Sequence, residues 1–190
     1  MIISKSNREI ELMKEAGRVT ALALRKVKEA IKPGISSLEL DKIAENVIRE
    51  EGCIPAFKGY GDFPCTICAS INDIVIHGIP KKNIILKDGD IISIDCGAIY
   101  KGYYGDSAIT CTVGEVSKEK QRLIDVTEQS FWEGMKFAYP GNHLSDISNA
   151  IYQYVKKNGC DVIREYTGHG VGRELHEDPS IPNYGEKGQG

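Results

Sequence analysis

Apolar residues recur at three- and four-residue intervals in two stretches near the N-terminus. In the first, Ser6 and Glu9 have the spacing of a capping box ahead of the periodic positions, and Pro33-Gly34 stops the pattern. The second stretch begins near Ser36, again with a glutamate three residues later, and ends at Gly52. This spacing predicts two amphipathic helices.

Short apolar runs rich in β-branched residues follow, and they predict strands. They extend from Thr66 to Ser70, from Asp73 to Ile76, from Ile91 to Ile94 and from Tyr103 to Val113. Helical spacing then returns between about Ser117 and Phe137. The order of these elements predicts an α+β fold.

Part of the pattern is repeated along the chain. Pro33-Gly34 and Pro140-Gly141 lie 107 residues apart, and so do Gly52-Cys53 and Gly159-Cys160. Two shared helix terminators, with similar apolar positions between them, predict a duplicated helix-helix-strand unit. The alternative is that Pro-Gly and Gly are simply common punctuation at helix ends.

Composition and charge narrow the class of function. The chain has 24 Lys and Arg against 27 Asp and Glu, a net charge of -3, which argues against a nucleic-acid binder that uses the whole chain. It has neither an apolar stretch of membrane-spanning length nor an apolar signal segment at its start. We therefore expect a single cytoplasmic domain over residues 1–190. Without a secretory signal, we expect its six cysteines to be reduced.

Two aspartates lie in the strands of a predicted hairpin. If its loop is the four residues from Ile99 to Gly102, Asp95 faces Asp106 directly, with Cβ atoms about 4.5 to 5.5 Å apart. Two like charges at this separation destabilise each other, so the pair indicates either a divalent cation or a shared proton between them. A register slipped by one residue, with Asp106 at a solvated strand end, is the alternative.

Three of the four histidines have unusual neighbourhoods. His77 ends an apolar run, His169 lies between glycines, and His176 follows seven residues later. Taken alone, each of these patterns is more typical of a surface or core histidine than of a ligand. A Cys-His nucleophile such as Cys68 with His77 is a competing chemistry. However, nothing places Cys65 or Cys68 at a helix N-terminus or beside a cation.

Taken together, these residues resemble the type I methionine aminopeptidases, and the resemblance covers essentially the whole chain. It implies the pita-bread fold, in which two pseudo-symmetric helix-helix-strand halves surround an antiparallel sheet. The motifs that carry it are, in chain order, Ser70-Ile71-Asn72, Val75-Ile76-His77-Gly78-Ile79-Pro80, Ile94-Asp95, Tyr103-Tyr104-Gly105-Asp106, Gly168-His169-Gly170-Val171-Gly172, His176-Glu177 and Pro179.

The resemblance implies a metalloexopeptidase that removes the N-terminal methionine of nascent proteins and peptides when the next residue is small. A hydroxide bridging two divalent ions would attack the first peptide bond, and Asp95, Asp106 and His169 would be metal ligands. Cobalt, manganese, iron and zinc all remain open, because carboxylate-rich sites accept several metals. We expect a monomer with no DNA or membrane partner, and we leave ribosome contact open.

The remaining site residues also follow from the resemblance. His77 and His176 would be catalytic residues that contact the substrate near the scissile amide and help to stabilise the tetrahedral intermediate. A separate group of residues falls where the family lines its methionine pocket: Phe57, Tyr60, Phe63 and Cys68.

Length is the main departure from the family, which supplies two further glutamate ligands from later strands. Nothing in this chain occupies those positions, and Asp95 moved by the internal offset would fall at 202, beyond Gly190. We therefore expect the C-terminal part of the domain to be missing and the 190-residue chain alone to be impaired or inactive. The alternatives are a truncated, non-catalytic pita-bread binding module and a related proline-directed aminopeptidase.

Overall fold

The computed structural model describes all 190 residues as two compact units. The N-terminal unit comprises 3–117 together with the segment Val171–His176. The C-terminal unit comprises Lys118–Gly170 and Glu177–Gly190, with the first two residues of the chain. None of the helices is both long and apolar enough to cross a lipid bilayer.

The two predicted N-terminal helices are confirmed. Helix α1 spans Asn7–Ala30 and helix α2 spans Ser37–Glu50. Each begins directly after its predicted capping serine, and both capping boxes form, so the backbone N–H of the serine and that of the glutamate three residues later have partners. The two helices pack against each other, and α1 also packs on the sheet.

The sheet of the N-terminal unit has four antiparallel strands. They are β1 (Ile54–Pro55), β2 (Ile67–Ile71), β3 (Ile91–Tyr100) and β4 (Tyr103–Thr112), and β3 pairs with each of the other three. Side chains between helices and sheet form the core, and burying each large one contributes about 1.5 to 3 kcal/mol. The largest fully buried apolar side chains are Leu40, Ile48, Ile67, Leu86, Ile92, Ile94, Val19, Val27, Val113 and Cys96.

The predicted strand from Asp73 to Ile76 is wrong. The chain leaves the sheet at Asn72, which adopts a left-handed backbone with φ 52°. Its side chain is held by two hydrogen bonds: the amide donates to Asp90 (2.8 Å), and the oxygen accepts the Ile91 N–H (3.1 Å). The apolar run that follows therefore has no neighbouring strand and forms an exposed turn, with Val75 53% exposed.

The C-terminal unit contains helices α3 (Lys118–Met135) and α4 (Leu144–Lys157) and the paired strands β5 (Gly168–Gly170) and β6 (Glu177–Ile181). Helices α3 and α4 pack against each other. They approach closely at Gly134, where an added Cβ would lie 2.8 Å from the Ile151 side chain. A larger residue at this position would require the Ile151 side chain or one of the helices to shift.

Local geometry supports the duplicated helix pair. Gly34 and Gly141, 107 residues apart, both adopt a left-handed backbone (φ 91° and 99°), and so do Gly52 and Gly159 (φ 71° and 69°). The residue after each second glycine donates its N–H to the carbonyl five residues earlier, at 3.0 Å in one copy and 3.1 Å in the other. The same helix ending is therefore built twice at the internal offset of 107 residues, which supports the duplicated unit.

Candidate functional site

Asp95 and Asp106 lie on the β3–β4 hairpin, but not in the predicted register. Asp95 pairs with Ala108, and Asp106 pairs with Gly97. The two aspartates are therefore diagonal neighbours, for which Cβ atoms are roughly 7 to 8 Å apart or slightly closer, rather than directly opposed. They still share one face of the sheet, because a shift of two residues preserves the face that a shift of one would reverse.

The register differs because the turn is shorter than the sequence suggested. Tyr100 pairs with Tyr103, so the loop consists only of Lys101 and Gly102. Both loop residues have positive φ, 48° and 83°. This is the backbone of a type I′ turn, whose twist matches that of the flanking strands. The predicted four-residue loop from Ile99 to Gly102 is therefore wrong.

The two carboxyl groups interact strongly. Burial raises the pKa of Asp95 well above its ordinary value, and the charge of Asp106 and a hydrogen bond between the two side chains raise it further. In the absence of a cation, the pair therefore shares a proton near neutral pH. A divalent cation would displace this proton and reverse the repulsion.

Cys68 lies directly opposite Asp95 on β2. Burial, followed by the charges of Asp95 and Asp106, raises the pKa of its thiol to about 12. The thiolate that a cysteine nucleophile requires is therefore suppressed. This argues against the Cys-His alternative and leaves Cys68 as a small, apolar lining residue. All six cysteines are free thiols, as expected.

The raised pKa predicts how Asp95→Asn changes stability with pH. Asp95 holds its proton more tightly in the folded state than in the unfolded state, so wild-type stability falls as pH rises through the folded-state pKa. In EDTA at pH 8, we expect the variant to gain roughly 2 kcal/mol in free energy of unfolding, and to gain little at pH 4. Urea unfolding at both pH values measures this, with Asp73→Asn at an exposed turn as the control. An equal gain at both pH values would contradict the prediction.

An apolar cluster adjoins this pair in the sheet. Its buried members are Ala56, Phe57, Cys68 and Leu175, with Phe63 partly buried against them. The predicted pocket residues Phe57, Phe63 and Cys68 are therefore together. Tyr60 is outside the cluster and 45% exposed. Sequence reasoning missed Leu175, whose only signal was its position next to His176.

His77 lies in the exposed turn that replaces the predicted strand. Its backbone is left-handed, with φ 58°, a conformation that is strained for a residue with a side chain. The next residue, Gly78, fixes it in place: its N–H donates to the buried Ser70 hydroxyl (3.1 Å), and its carbonyl accepts the Ala69 N–H (2.7 Å). The end of β2 therefore determines where the imidazole is presented.

His176 belongs to the N-terminal unit through the segment Val171–His176. Its Nδ1 lies 2.9 Å from the Tyr60 hydroxyl, and the two rings are 5.5 Å apart between centroids. The segment is anchored upstream by Arg173, whose guanidinium contacts Glu9 and lies over the Tyr103 ring. Sequence reasoning gave no role to Arg173, Glu9 or Tyr103 in holding this histidine.

His169 is on β5, in the C-terminal unit. Its Nδ1 lies 3.0 Å from the Gly170 carbonyl. A carbonyl can only accept, so Nδ1 carries the proton and the lone pair is on Nε2, which is the tautomer that ligates metals. Across the chain, no three His, Cys, Asp or Glu side chains form a group arranged to hold a metal ion. The metal-ligand role of His169 therefore stays a prediction, as do the roles of His77 and His176.

Comparison with known proteins gives one family and a consistent set of relatives. Residues 11–189 match the model of metallopeptidase family M24. The chain is 53% identical over 190 residues to a Bacillus subtilis protein named methionine aminopeptidase 1, and 52% identical to a methionine aminopeptidase of Clostridium acetobutylicum. In both cases the match covers 100% of this chain and 76% of the relative.

Solved structures agree with the sequence matches. The methionine aminopeptidase of Thermotoga maritima superposes with a TM-score of 0.98 at 45% identity, covering 100% of this chain and 76% of that one. The prolidase of Pyrococcus furiosus superposes with a TM-score of 0.84 at 25% identity, covering 96% of this chain and 52% of that one. The expected pita-bread fold is confirmed.

Proposed function

The chain belongs to metallopeptidase family M24, and from this premise we propose that it removes the N-terminal methionine from nascent proteins and peptides when the next residue is small. The observation that carries the proposal is the match of the whole chain to proteins named methionine aminopeptidase. The prolidase matches at clearly lower identity, which disfavours the proline-directed alternative.

The donor set supports a role for divalent metal ions. Asp95 and Asp106 present carboxylates on one face of the hairpin, and His169 has the tautomer that offers Nε2. Carboxylate and imidazole donors suit cobalt, manganese, iron and zinc, and the family resemblance favours two ions. When bound, such ions supply an activated water and polarise the scissile carbonyl.

The two other histidines act on the substrate in this proposal. His176 donates a hydrogen bond from Nε2 to the oxygen on which charge develops, and His77 binds the amide on the leaving side. Both side chains extend from short segments held by backbone hydrogen bonds, at Gly78 for one and at Gly172 for the other. Such anchoring limits the reorganisation needed during the reaction.

The apolar cluster is the proposed methionine pocket. Phe57, Phe63 and Cys68 offer aromatic and sulfur surfaces, which suit an unbranched thioether side chain. Cys68 contributes as a protonated thiol, because burial raises its pKa. We propose that limited volume beyond the scissile bond restricts the second residue of the substrate to small side chains.

The cellular location, the oligomeric state and the partners of the protein are also proposals. The substrate is the N-terminus of a nascent polypeptide, which places the protein in the cytoplasm. We propose a monomer and leave ribosome contact open. The net charge of -3 argues against a DNA partner bound by the whole chain.

The activity is tested by incubating a chain extended to the length of its relatives with Met-Ala-Ser and added Mn(II) or Co(II), and measuring free methionine by mass spectrometry. The 190-residue chain is assayed in parallel. We expect cleavage that EDTA abolishes, and Met-Leu-Ser to be cleaved about 100-fold more slowly because of its larger second residue. A peptide with proline second tests the proline-directed alternative. The predicted impairment of the 190-residue chain stays a prediction, which the absolute rate measures.

Two results would count against the proposal. A chain extended to the length of its relatives that is saturated with metal and leaves Met-Ala-Ser intact would overturn the assignment. If such a chain still binds the peptide, the non-catalytic binding module is the better description. Faster cleavage before proline than before alanine would favour the proline-directed peptidase.

A further inference from the structure

Tyr60, which was predicted to line the methionine pocket, contacts a histidine. Its hydroxyl oxygen lies 2.9 Å from His176 Nδ1, and the two rings are inclined at 38°. The tyrosine ring is about half exposed and lies outside the apolar cluster that contains Phe57 and Cys68. A pocket-lining role alone therefore does not account for its position.

A tightly closed loop holds Tyr60. The Gly59 N–H donates to the Phe63 carbonyl (2.8 Å), the Tyr60 N–H donates to the Phe57 carbonyl (3.0 Å), and the Phe63 N–H donates back to the Tyr60 carbonyl (3.0 Å). Gly59 and Gly61 take the positive φ values, 89° and 51°, that such a loop requires. Phe57 and Phe63 anchor the loop ends in the apolar cluster. The hydroxyl is therefore presented from a fixed backbone.

The segment that carries His176 is fixed independently of Tyr60. The Gly172 carbonyl accepts the Tyr104 N–H from β4 (2.8 Å), and the Leu175 side chain is 3% exposed within the apolar cluster. Between them, Arg173 bonds to Glu9 (3.2 Å) and lies over the Tyr103 ring, with 5.1 Å from its guanidinium carbon to the ring centroid. Both partners of the Tyr60–His176 hydrogen bond are thus held in place before any substrate binds.

The direction of this hydrogen bond decides where the imidazole proton lies. A phenol donates better than it accepts, because its oxygen lone pair is delocalised into the ring. If the Tyr60 hydroxyl donates to Nδ1, a neutral His176 must carry its proton on Nε2. The imidazole then has an N–H to offer at Nε2, the nitrogen that Tyr60 does not contact.

We propose that Tyr60 is a positioning residue for His176, which orients the imidazole and keeps its proton on Nε2. The proposal deepens the proposed function, on which it rests, because Nε2–H is the group that would donate to the developing oxyanion. Tyr60 acts through His176 and need not touch the substrate. Its ring remains available to border the pocket.

Two measurements on Tyr60→Phe test the proposal, and the first needs no activity. Nitrogen-15 NMR of the imidazoles distinguishes the two tautomers, and His176→Ala assigns the His176 signals. At pH 8, we expect the wild-type chain to show a single Nε2–H tautomer and Tyr60→Phe to show a mixture. Tyr139→Phe, which removes a hydroxyl from an exposed tyrosine in the C-terminal unit, should leave the signals unchanged.

The second measurement is the kinetics of Met-Ala-Ser hydrolysis. We expect Tyr60→Phe to lower kcat by about 10- to 100-fold while KM stays within about twofold, because the ring is retained and only the orienting bond is lost. In a His176→Ala background, the same change should have no further effect on kcat. Tyr139→Phe should match the wild type.

The outcomes separate this inference from the function on which it rests. A wild-type tautomer signal in Tyr60→Phe would falsify the positioning role, as would a raised KM with unchanged kcat, which is the result for a pocket residue. If the tautomer shifts but a wild-type chain extended to the length of its relatives releases no methionine, the Tyr60–His176 pairing stands and the aminopeptidase assignment fails.

Discussion

Replacing Asp106 by asparagine is expected to lower the affinity for Mn(II) by about 100-fold or more and to abolish methionine release at micromolar metal. The substitution removes one of the two carboxylates that share a face of the hairpin, and loss of even an indirect metal contact costs 10- to 100-fold. Metal content after gel filtration, measured by mass spectrometry, gives the first readout. His169→Ala is expected to lose metal in the same way.

The thermal stability of the same variant gives an independent control. Saturating the wild-type chain with metal at about 100 times its dissociation constant adds about 2.7 kcal/mol and raises Tm by several degrees, whereas a variant that binds 100-fold more weakly gains only about 0.4 kcal/mol. Without metal, the variant should be more stable than the wild type, because it no longer places two carboxylates together. A variant that keeps its metal would remove Asp106 from the ligand set.

Among single replacements of glycine by alanine, Gly78→Ala is expected to cause the largest loss in free energy of unfolding. A Cβ at this position would lie 2.2 Å from the Ala69 carbonyl oxygen and 2.9 Å from the Ser70 Cα, both of them backbone atoms of β2. Neither can give way without moving the strand, so we expect a loss of about 3 kcal/mol in free energy of unfolding. Because His77 precedes Gly78, kcat/KM should also fall by about 100-fold.

Two further variants separate strain from positioning at this glycine. Ser70→Ala removes only the hydroxyl that accepts the Gly78 N–H, and should cost about 1 kcal/mol with a smaller loss of activity. Gly17→Ala adds a methyl group within α1, where nothing lies within 4 Å of the new Cβ, and should be neutral or stabilising. Urea unfolding and kcat/KM measure all three. If Gly78→Ala is as stable as the wild type, the close approach of residue 78 to the β2 backbone is contradicted.

The helices and the shared face of the aspartates could be predicted because both depend on local pattern. Capping serines with glutamates three residues later define the starts of α1 and α2, and the period of two along a strand fixes which side chains share a face. The predicted loop was two residues too long. A register error of two residues does not change the face on which a side chain lies, so the shared face was still predicted correctly. The sequence therefore predicts that Asp95 and Asp106 share one face of the hairpin, but it does not predict the residues with which they pair.

The features that could not be predicted depend on partners distant in sequence. The apolar run after Asn72 has a strand-like composition, and only the missing neighbour strand makes it a turn. Lys101 adopts a left-handed backbone because the hairpin twist favours it, although a lysine carries no such signal. The contact between Tyr60 and His176 joins residues 116 positions apart and leaves no trace in local spacing.

The helix ending that occurs at both Gly52 and Gly159 has a consequence for how such a chain diverges. After a gene duplicates, each copy is free to change its chemistry, but a left-handed backbone penalises almost every replacement by about 1 kcal/mol in either copy. Selection on folding alone is then enough to keep both glycines. The aspartates of the hairpin, by contrast, repel each other when no cation is bound, so selection on folding alone does not preserve them. In a duplicated fold of this kind, the glycines at the helix ends keep the evidence of the duplication longer than the reactive side chains do.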